Sequence, residues 1–262
     1  MIKKKLNNNS VILEGKGIKK FFKVGSGIVQ VLKGIDVSIK KGEFIILFGS
    51  SGCGKSTLLN ILLGLEIPSD GKVIFLNEDL YIHNEDEISQ IRKEGVGLIY
   101  QQQNWVKSLN VLENVAFPLT LRGVLKEERE AKAMEMLKLV HMEGSSIQAP
   151  TELSSGQQQK VSFARALISN PALLVADEPT GNLDSKSSVE LMEMFKEYNG
   201  QGNTIIMVTH DLKFLTYATR SLNMTDGVVV NEYLQGDKEL DKFKIYDKKT
   251  DAGIAEKTKK NS

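Results

Sequence analysis

The sequence predicts an α/β fold with a mainly parallel sheet, an antiparallel β part near the N-terminus and an inserted helical subdomain. Three observations carry this. FIILF (44–48), ALLVAD (172–177) and TIIMVTH (204–210) are short, continuous apolar runs, the pattern of strands buried on both faces. Helical patterns lie between them, and strand–helix–strand alternation implies parallel pairing. Residues 11–48 instead alternate β-like runs, VILEGKG and IVQVLKGIDVSI, with glycine-containing turns before FIILF.

Taken in order, residues 1–10 read as a polar tail with a Lys run and an Asn run. After FIILF, bounded by Gly42 and Gly49, LLNILLGLEIPSDG predicts a helix. Leu58, Leu59, Ile61, Leu62 and Leu65 form its apolar face, and Pro68 stops it. Residues 73–118 read as short strands and loops, and 122–169 as mainly helical, with KEEREAKAMEMLKLV followed by a second run after LSSGQ. From about residue 233 the chain is Lys/Asp-rich and reads as a polar C-terminal tail. The expected organisation is therefore a tail at 1–10, one domain at 11–232 with a helical subdomain at about 102–165, and a tail at 233–262.

Composition limits the function classes. With 262 residues, 41% apolar and 26% charged, the chain is long enough for a substantial core. Its net charge of +1 argues against a strongly basic nucleic-acid binder, and no nucleic-acid partner is expected. The one cysteine, Cys53, allows no intramolecular disulfide and suits a reducing compartment. The N-terminus lacks the apolar region of a signal peptide, and no stretch approaches the ~18 apolar residues of a membrane span.

GSSGCGKST, from Gly49 to Thr57, follows the FIILF strand and opens a helix. It fills every fixed position of the phosphate-binding pattern G-x-x-x-x-G-K-[ST]. Gly49, Gly52 and Gly54 let the backbone curl so that N–H groups, including those of Ser50, Ser51 and Cys53, turn toward phosphate oxygens. Lys55 reaches the β- and γ-phosphates, Ser56 ligates Mg²⁺ and Thr57 bonds the α-phosphate. This is a P-loop NTPase core with a Mg²⁺ site, and the P-loop alone leaves kinases, GTPases, motors and transport ATPases open. Cys53 reads either as a small tolerated side chain or as a thiol with a lowered pKa open to redox control. No N-K-x-D sequence is present to read guanine. Asp177 ends the second acidic strand, where it would hold Mg²⁺, and Glu178 follows with a carboxylate able to polarise water.

GSSGCGKST, LSSGQ, LLVADEPTGNLDS and VTH occur in that order, and over roughly residues 11–232 the chain resembles the nucleotide-binding subunit of an ATP-binding cassette (ABC) transporter. The resemblance implies a head-to-tail dimer around two ATP molecules, in which LSSGQ caps the γ-phosphate held by the other chain's P-loop. Ser154, Gly156 and the helix dipole behind Gln157 would form that anion site. Ser155 departs from the usual L-S-G-G-Q by replacing the first glycine. The resemblance also makes Glu178 the hydrolytic residue, Gln101 the glutamine that senses Mg²⁺ and the attacking water, and His210 the switch histidine. Asp184 falls in the loop that crosses the dimer interface. Phe22 takes the place of the aromatic that stacks on adenine, with Phe21 one position away as the alternative.

A separate integral membrane permease subunit is implied, docking near residues 101–118, with the chain cytoplasmic and peripheral on the inner face of the membrane. Trp105 lies in that stretch and reads equally as an interface or a packed side chain. LNVLENVAFPLTLRG and ADEPTGNLDS resemble most the lipoprotein-release and macrolide-export group and its cell-division relative. Export or extraction of a lipophilic or peptide cargo is therefore expected, the alternative being a regulatory ATPase that transmits conformational change without transport. Gln103-Asn104-Trp105 departs from that group's usual Phe-Asn-Leu.

Overall fold

The computed structural model describes residues 10–240. The tail expected at 1–10, apart from Ser10, and residues 241–262 lie outside the described residues. Two sheets organise the rest. The first is antiparallel, in the order β2 (Gly27–Lys40), β1 (Val11–Val24), β4 (Asp70–Phe75), β5 (Glu78–Asp79). The second has the order β10 (Val228–Leu234), β9 (Arg220–Thr225), β3 (Phe44–Gly49), β8 (Thr204–Thr209), β7 (Leu173–Asp177), β6 (Val96–Tyr100). All its pairings are parallel except β9 with β10.

The apolar runs are central strands for the expected reason. Side chains alternate across a strand, and both faces of β3 are covered. Phe44, Ile46 and Phe48 enter one core cluster with Leu174, Ala176, Ile205 and Met207. Ile45 and Leu47 enter a second with Leu173, Val175, Ile206 and Val208. The first cluster takes in α3 (Val111–Thr120), α4 (Lys126–Leu139), α5 (Ser155–Leu167) and α6 (Ser185–Gly200). The second takes in α1 (Lys55–Leu62) and the antiparallel sheet.

Three expectations change. Helix α1 ends at Leu62, well before Pro68. Gly64, at φ 66°, terminates it: its N–H donates to the Ile61 carbonyl and the Leu65 N–H donates to the Asn60 carbonyl. That left-handed cap satisfies the last carbonyls and leaves Leu65 outside the helix and exposed. Second, residues 73–118 hold two helices, α2 (Glu85–Gly95) and α3, each started by an Asn–Glu capping box, Asn84 with Glu87 and Asn110 with Glu113. Third, the folded part runs past 232: β10 reaches Leu234, and Tyr233 and Leu240 are buried in the first core cluster.

Candidate nucleotide-binding site

Parallel strands carry ligands at their C-terminal ends, and the candidate residues emerge there: Gly49 from β3, Gln101 after β6, Asp177 from β7 and His210 after β8. The P-loop that follows β3 is shaped by its glycines. Gly49 (φ 153°) has the Met224 carbonyl oxygen 2.1 Å from where a Cβ would sit. Gly54 (φ 104°) caps α1 with Leu32 Cδ2 2.9 Å from its Cβ position. The backbone contact forbids a side chain at Gly49, and the left-handed φ disfavours one at Gly54. Lys55 is buried, and its ammonium donates to the Gly49 carbonyl at 2.9 Å and the Ser50 carbonyl at 3.0 Å. The loop thus holds its own cation through its own carbonyls. Cys53 lies beneath the loop, buried, with its sulfur 4.0 Å from Lys55 Nζ, which fits the small packed side chain rather than an accessible thiol.

A cavity of about 390 Å³ opens over the loop, walled by Ser51, Gly52, Gly54, Lys55, Ser56 and Thr57 on one side and Glu178 and His210 on the other. Val31 completes the wall. Sequence reasoning missed it, because its position depends on a register shift: Lys20 pairs with Leu32 but Phe21 pairs with Gln30, leaving Val31 unpaired. Phe21 and Phe22 both stand exposed on the same β1–β2 hairpin, outside the cavity wall, with the Lys20 ammonium 5.0 Å from the Phe22 ring centre.

Glu178 holds a left-handed backbone, φ 47°, which a non-glycine residue adopts at a cost of about 1–3 kcal/mol. The surrounding structure fixes it there. Its N–H donates to the Val208 carbonyl at 2.9 Å and its carbonyl accepts from Gly181 N–H at 3.2 Å. The carboxylate meets His210 Nδ1 at 2.9 Å, with the imidazole largely exposed. Beside it, Asp177 Oδ1 is buried without a hydrogen-bond partner. Burial, and then the Glu178 charge, push the Asp177 carboxyl above its ordinary range, while Lys55 pulls it down.

An orphaned buried carboxylate oxygen fits a hard cation such as Mg²⁺, which accepts few protein ligands and keeps water or phosphate oxygens in its remaining positions. Among the described residues no cluster of three or more His, Cys, Asp or Glu could hold a metal by itself. Gln101, the third expected ligand, does not line the cavity. It is exposed and lies over the loop after Glu178: its Nε2 is 2.8 Å from the Cβ position of Gly181, and its carbonyl accepts from Asn182 Nδ2 at 3.5 Å.

Ser154, Ser155, Gly156 and Gln157 are likewise absent from the cavity wall. They start α5. Ser154 and Gln157 form a capping box, Gln157 N–H to Ser154 Oγ at 3.3 Å and Ser154 N–H to Gln157 Oε1 at 2.9 Å. Ser155 is the first helical residue, exposed and free of positive φ. Gly156 is buried against Ser187, whose Oγ and Cβ would be 2.6 and 2.9 Å from an added Cβ. Ser187 in turn donates, through N–H at 2.9 Å and Oγ at 2.8 Å, to Asp184, the cap of α6. These bonds hold the Asp184 carboxyl below its ordinary range. LSSGQ and GNLDS therefore form one exposed corner of the molecule.

The chain matches known proteins over this whole arrangement. A profile of the ABC transporter family matches residues 32–181. The macrolide export ATP-binding/permease protein MacB of Wolinella succinogenes is 41% identical over 220 residues, covering 84% of this chain and 34% of that protein. The chain thus spans about one third of that relative's length. The ABC transporter ATP-binding protein MJ0796 of Methanocaldococcus jannaschii is 40% identical, over 83% of this chain and 94% of that one. A solved structure of the MJ0796 cassette, a dimer in a post-hydrolysis state bound to ADP and Pi, superposes with a TM-score of 0.79 at 38% identity, covering 85% of this chain and 98% of that chain. The chain belongs to the ABC transporter family, as an ATP-binding cassette.

Proposed function

We propose that this chain is an ATP-hydrolysing subunit that closes head to tail with a second copy around two ATP molecules and drives a separate membrane subunit. One observation carries the reading: the cavity gathers Lys55, Ser56, Glu178 and His210, yet the exposed Ser154 and the buried Gly156 lie outside its wall. An anion site away from its own P-loop is used when a second copy brings it there. The dimeric MJ0796 cassette supports this.

In the closed pair, the P-loop amides and Lys55 hold the phosphates, and Phe22 stacks on the base. Ser56 and Asp177 would hold Mg²⁺, which neutralises phosphate charge when bound. Glu178 orients the attacking water and takes up its proton. His210 fixes the Glu178 carboxylate and reaches the γ-phosphate. Gln101, which lies over the Gly181 loop, would be a further residue to hold Mg²⁺ and sense the attacking water. Ser154 Oγ leaves its cap bond and, with the Gly156 N–H, donates to the γ-phosphate of the facing site. Catalysis is then positioning plus charge stabilisation.

Among the described residues no helix is long and apolar enough to cross a membrane. A groove of about 400 Å³, lined by Leu98, Val106, Phe117, Pro118 and Leu121, lies beside the Gln101 segment and is mostly apolar. We assign it to a cytoplasmic helix of the membrane subunit, with the chain peripheral on the inner face of the membrane as part of the same proposal. Export of a lipophilic or peptide cargo is the direction supported by the macrolide-export relative. Size exclusion with light scattering tests the core of this reading. Glu178→Gln is expected to shift from monomer to dimer with ATP, while wild type does not accumulate as a dimer. A Glu178→Gln chain that stays monomeric at saturating ATP would reject it.

A further inference from the structure

Three consecutive glutamines follow the signature glycine, and the structure gives each a different task. Gln157 closes the capping box with Ser154. Gln159, 1% exposed, accepts from Gln103 Nε2 at 2.6 Å and donates to the Tyr100 carbonyl at 3.4 Å. Gln158 stands between two partners: its Oε1 accepts from the indole Nε1–H of Trp105 at 2.9 Å, and its Nε2 donates to the carbonyl of Leu153 at 3.0 Å. Leu153 is the residue immediately before Ser154. One amide therefore links the segment after Gln101 to the backbone that presents the signature serine.

Trp105 is held firmly enough to serve as an anchor. The Arg165 guanidinium stacks over its ring, 4.4 Å from the ring centre, and donates to the carbonyls of Asn104, at 3.4 Å, and of Gln103. Burial pushes the Arg165 pKa down to about 10, so it stays charged at neutral pH and the cation–π contact persists. On the other side, Asn114, fully buried, accepts from Val106 N–H at 3.0 Å and donates to the carbonyls of Val106 and Leu109 at 3.2 and 2.9 Å. Trp105 thus sits in a segment clamped at both ends and is the only tryptophan of the chain.

We propose that Trp105 is a positioning residue for the signature loop: through Gln158 and Leu153 it sets the orientation in which Ser154 and Gly156 meet the γ-phosphate of the facing subunit. The inference rests on the cross-subunit reading of LSSGQ. It makes the stretch next to the docking groove a control point for capping, separate from nucleotide binding at the chain's own P-loop.

The test uses full-length Glu178→Gln protein as parent, with Trp105→Phe, Gln158→Met and the double variant added. Phenylalanine keeps an aromatic ring for Arg165 while removing the N–H donor and one ring of the indole, so it is a control for misfolding in the Gln158 variant that perturbs the fold in a different way. Dimerisation is titrated with ATP, and binding to the chain's own P-loop is measured calorimetrically with ADP, which has no γ-phosphate to cap. Each single variant is expected to raise the ATP concentration for half-dimerisation by about fivefold or more, from loss of one bond at a half-buried site. The double variant should add little, since both changes break one link, and ADP affinity should stay at the parental value. Parental midpoints in both single variants overturn the proposal. So does an ADP affinity that falls in step with the midpoint, which would mark these side chains as supports of the fold alone. A parent that fails to dimerise contradicts the cross-subunit reading itself, and the positioning role falls with it.

Discussion

Ser155 shows how a departure from a familiar pattern becomes harmless in context. It occupies the first turn of α5 with its side chain in solvent, so nothing there demands glycine. Ser155→Gly is expected to lower stability by about 0.5–1 kcal/mol in urea unfolding without raising ATPase activity. Gly156 is the opposite case. A methyl group there collides with Ser187, and Ser187 holds Asp184. Gly156→Ala should displace the signature corner and cut ATPase activity about tenfold or more, with ADP affinity at the P-loop retained by calorimetry.

Asp177 carries a pH prediction. Its folded-state pKa is raised, chiefly by burial, so the unfolded chain releases that proton first. Stability from this group is full at low pH and is lost as pH rises through the ordinary Asp range near about 4 toward the raised folded value. Wherever the folded, nucleotide-free protein ionises Asp177, it carries a charge that burial disfavours. Asp177→Asn is expected to raise the melting temperature of nucleotide-free protein at neutral pH and to flatten its dependence on pH. The same change should reduce Mg²⁺-dependent hydrolysis about a hundredfold or more. Thermal melts across mildly acid to neutral pH and steady-state ATPase assays check the two halves, and an unchanged or lower melting temperature would count against the unpaired-charge account.

Among the elements, α1 depends on how it stops. Gly64 is left-handed, and an added Cβ would lie 2.4 Å from Ile88 Cγ2 of α2. Gly64→Ala should therefore destabilise by about 1–3 kcal/mol, seen as a lower denaturant midpoint. The apolar groove beside α3 makes a second prediction: Leu121→Glu, which puts a charge on its wall, should weaken co-purification with the membrane subunit about tenfold. The strands and the P-loop were legible because their signals are local: a continuous apolar run, or a fixed spacing of Gly, Lys and Ser. Helices α2 and α3 were hidden because α2 is charged over most of its length and α3 contains Pro118, although the Asn-x-x-Glu boxes at Asn84 and Asn110 stood in plain view. Two kinds of feature lay out of reach of any window along the chain. The Trp105–Gln158 bond joins positions 53 residues apart, and the place of Val31 in the cavity wall comes from a shift in strand register.

At the scale of the whole molecule, the chain presents a cavity over the P-loop and, outside its wall, the corner formed by LSSGQ and GNLDS, and the proposed function requires a second copy to join them. Complementation measures this most directly. Lys55→Ala disables the P-loop and Ser154→Arg blocks the signature corner, so each variant alone should be inactive. In a mixed dimer one composite site combines both defects and the other is intact. With random pairing, ATPase activity of the mixture should rise toward about a quarter of wild type. A mixture no more active than its separate components, with subunit exchange confirmed, would contradict the claim that each site is built from two chains.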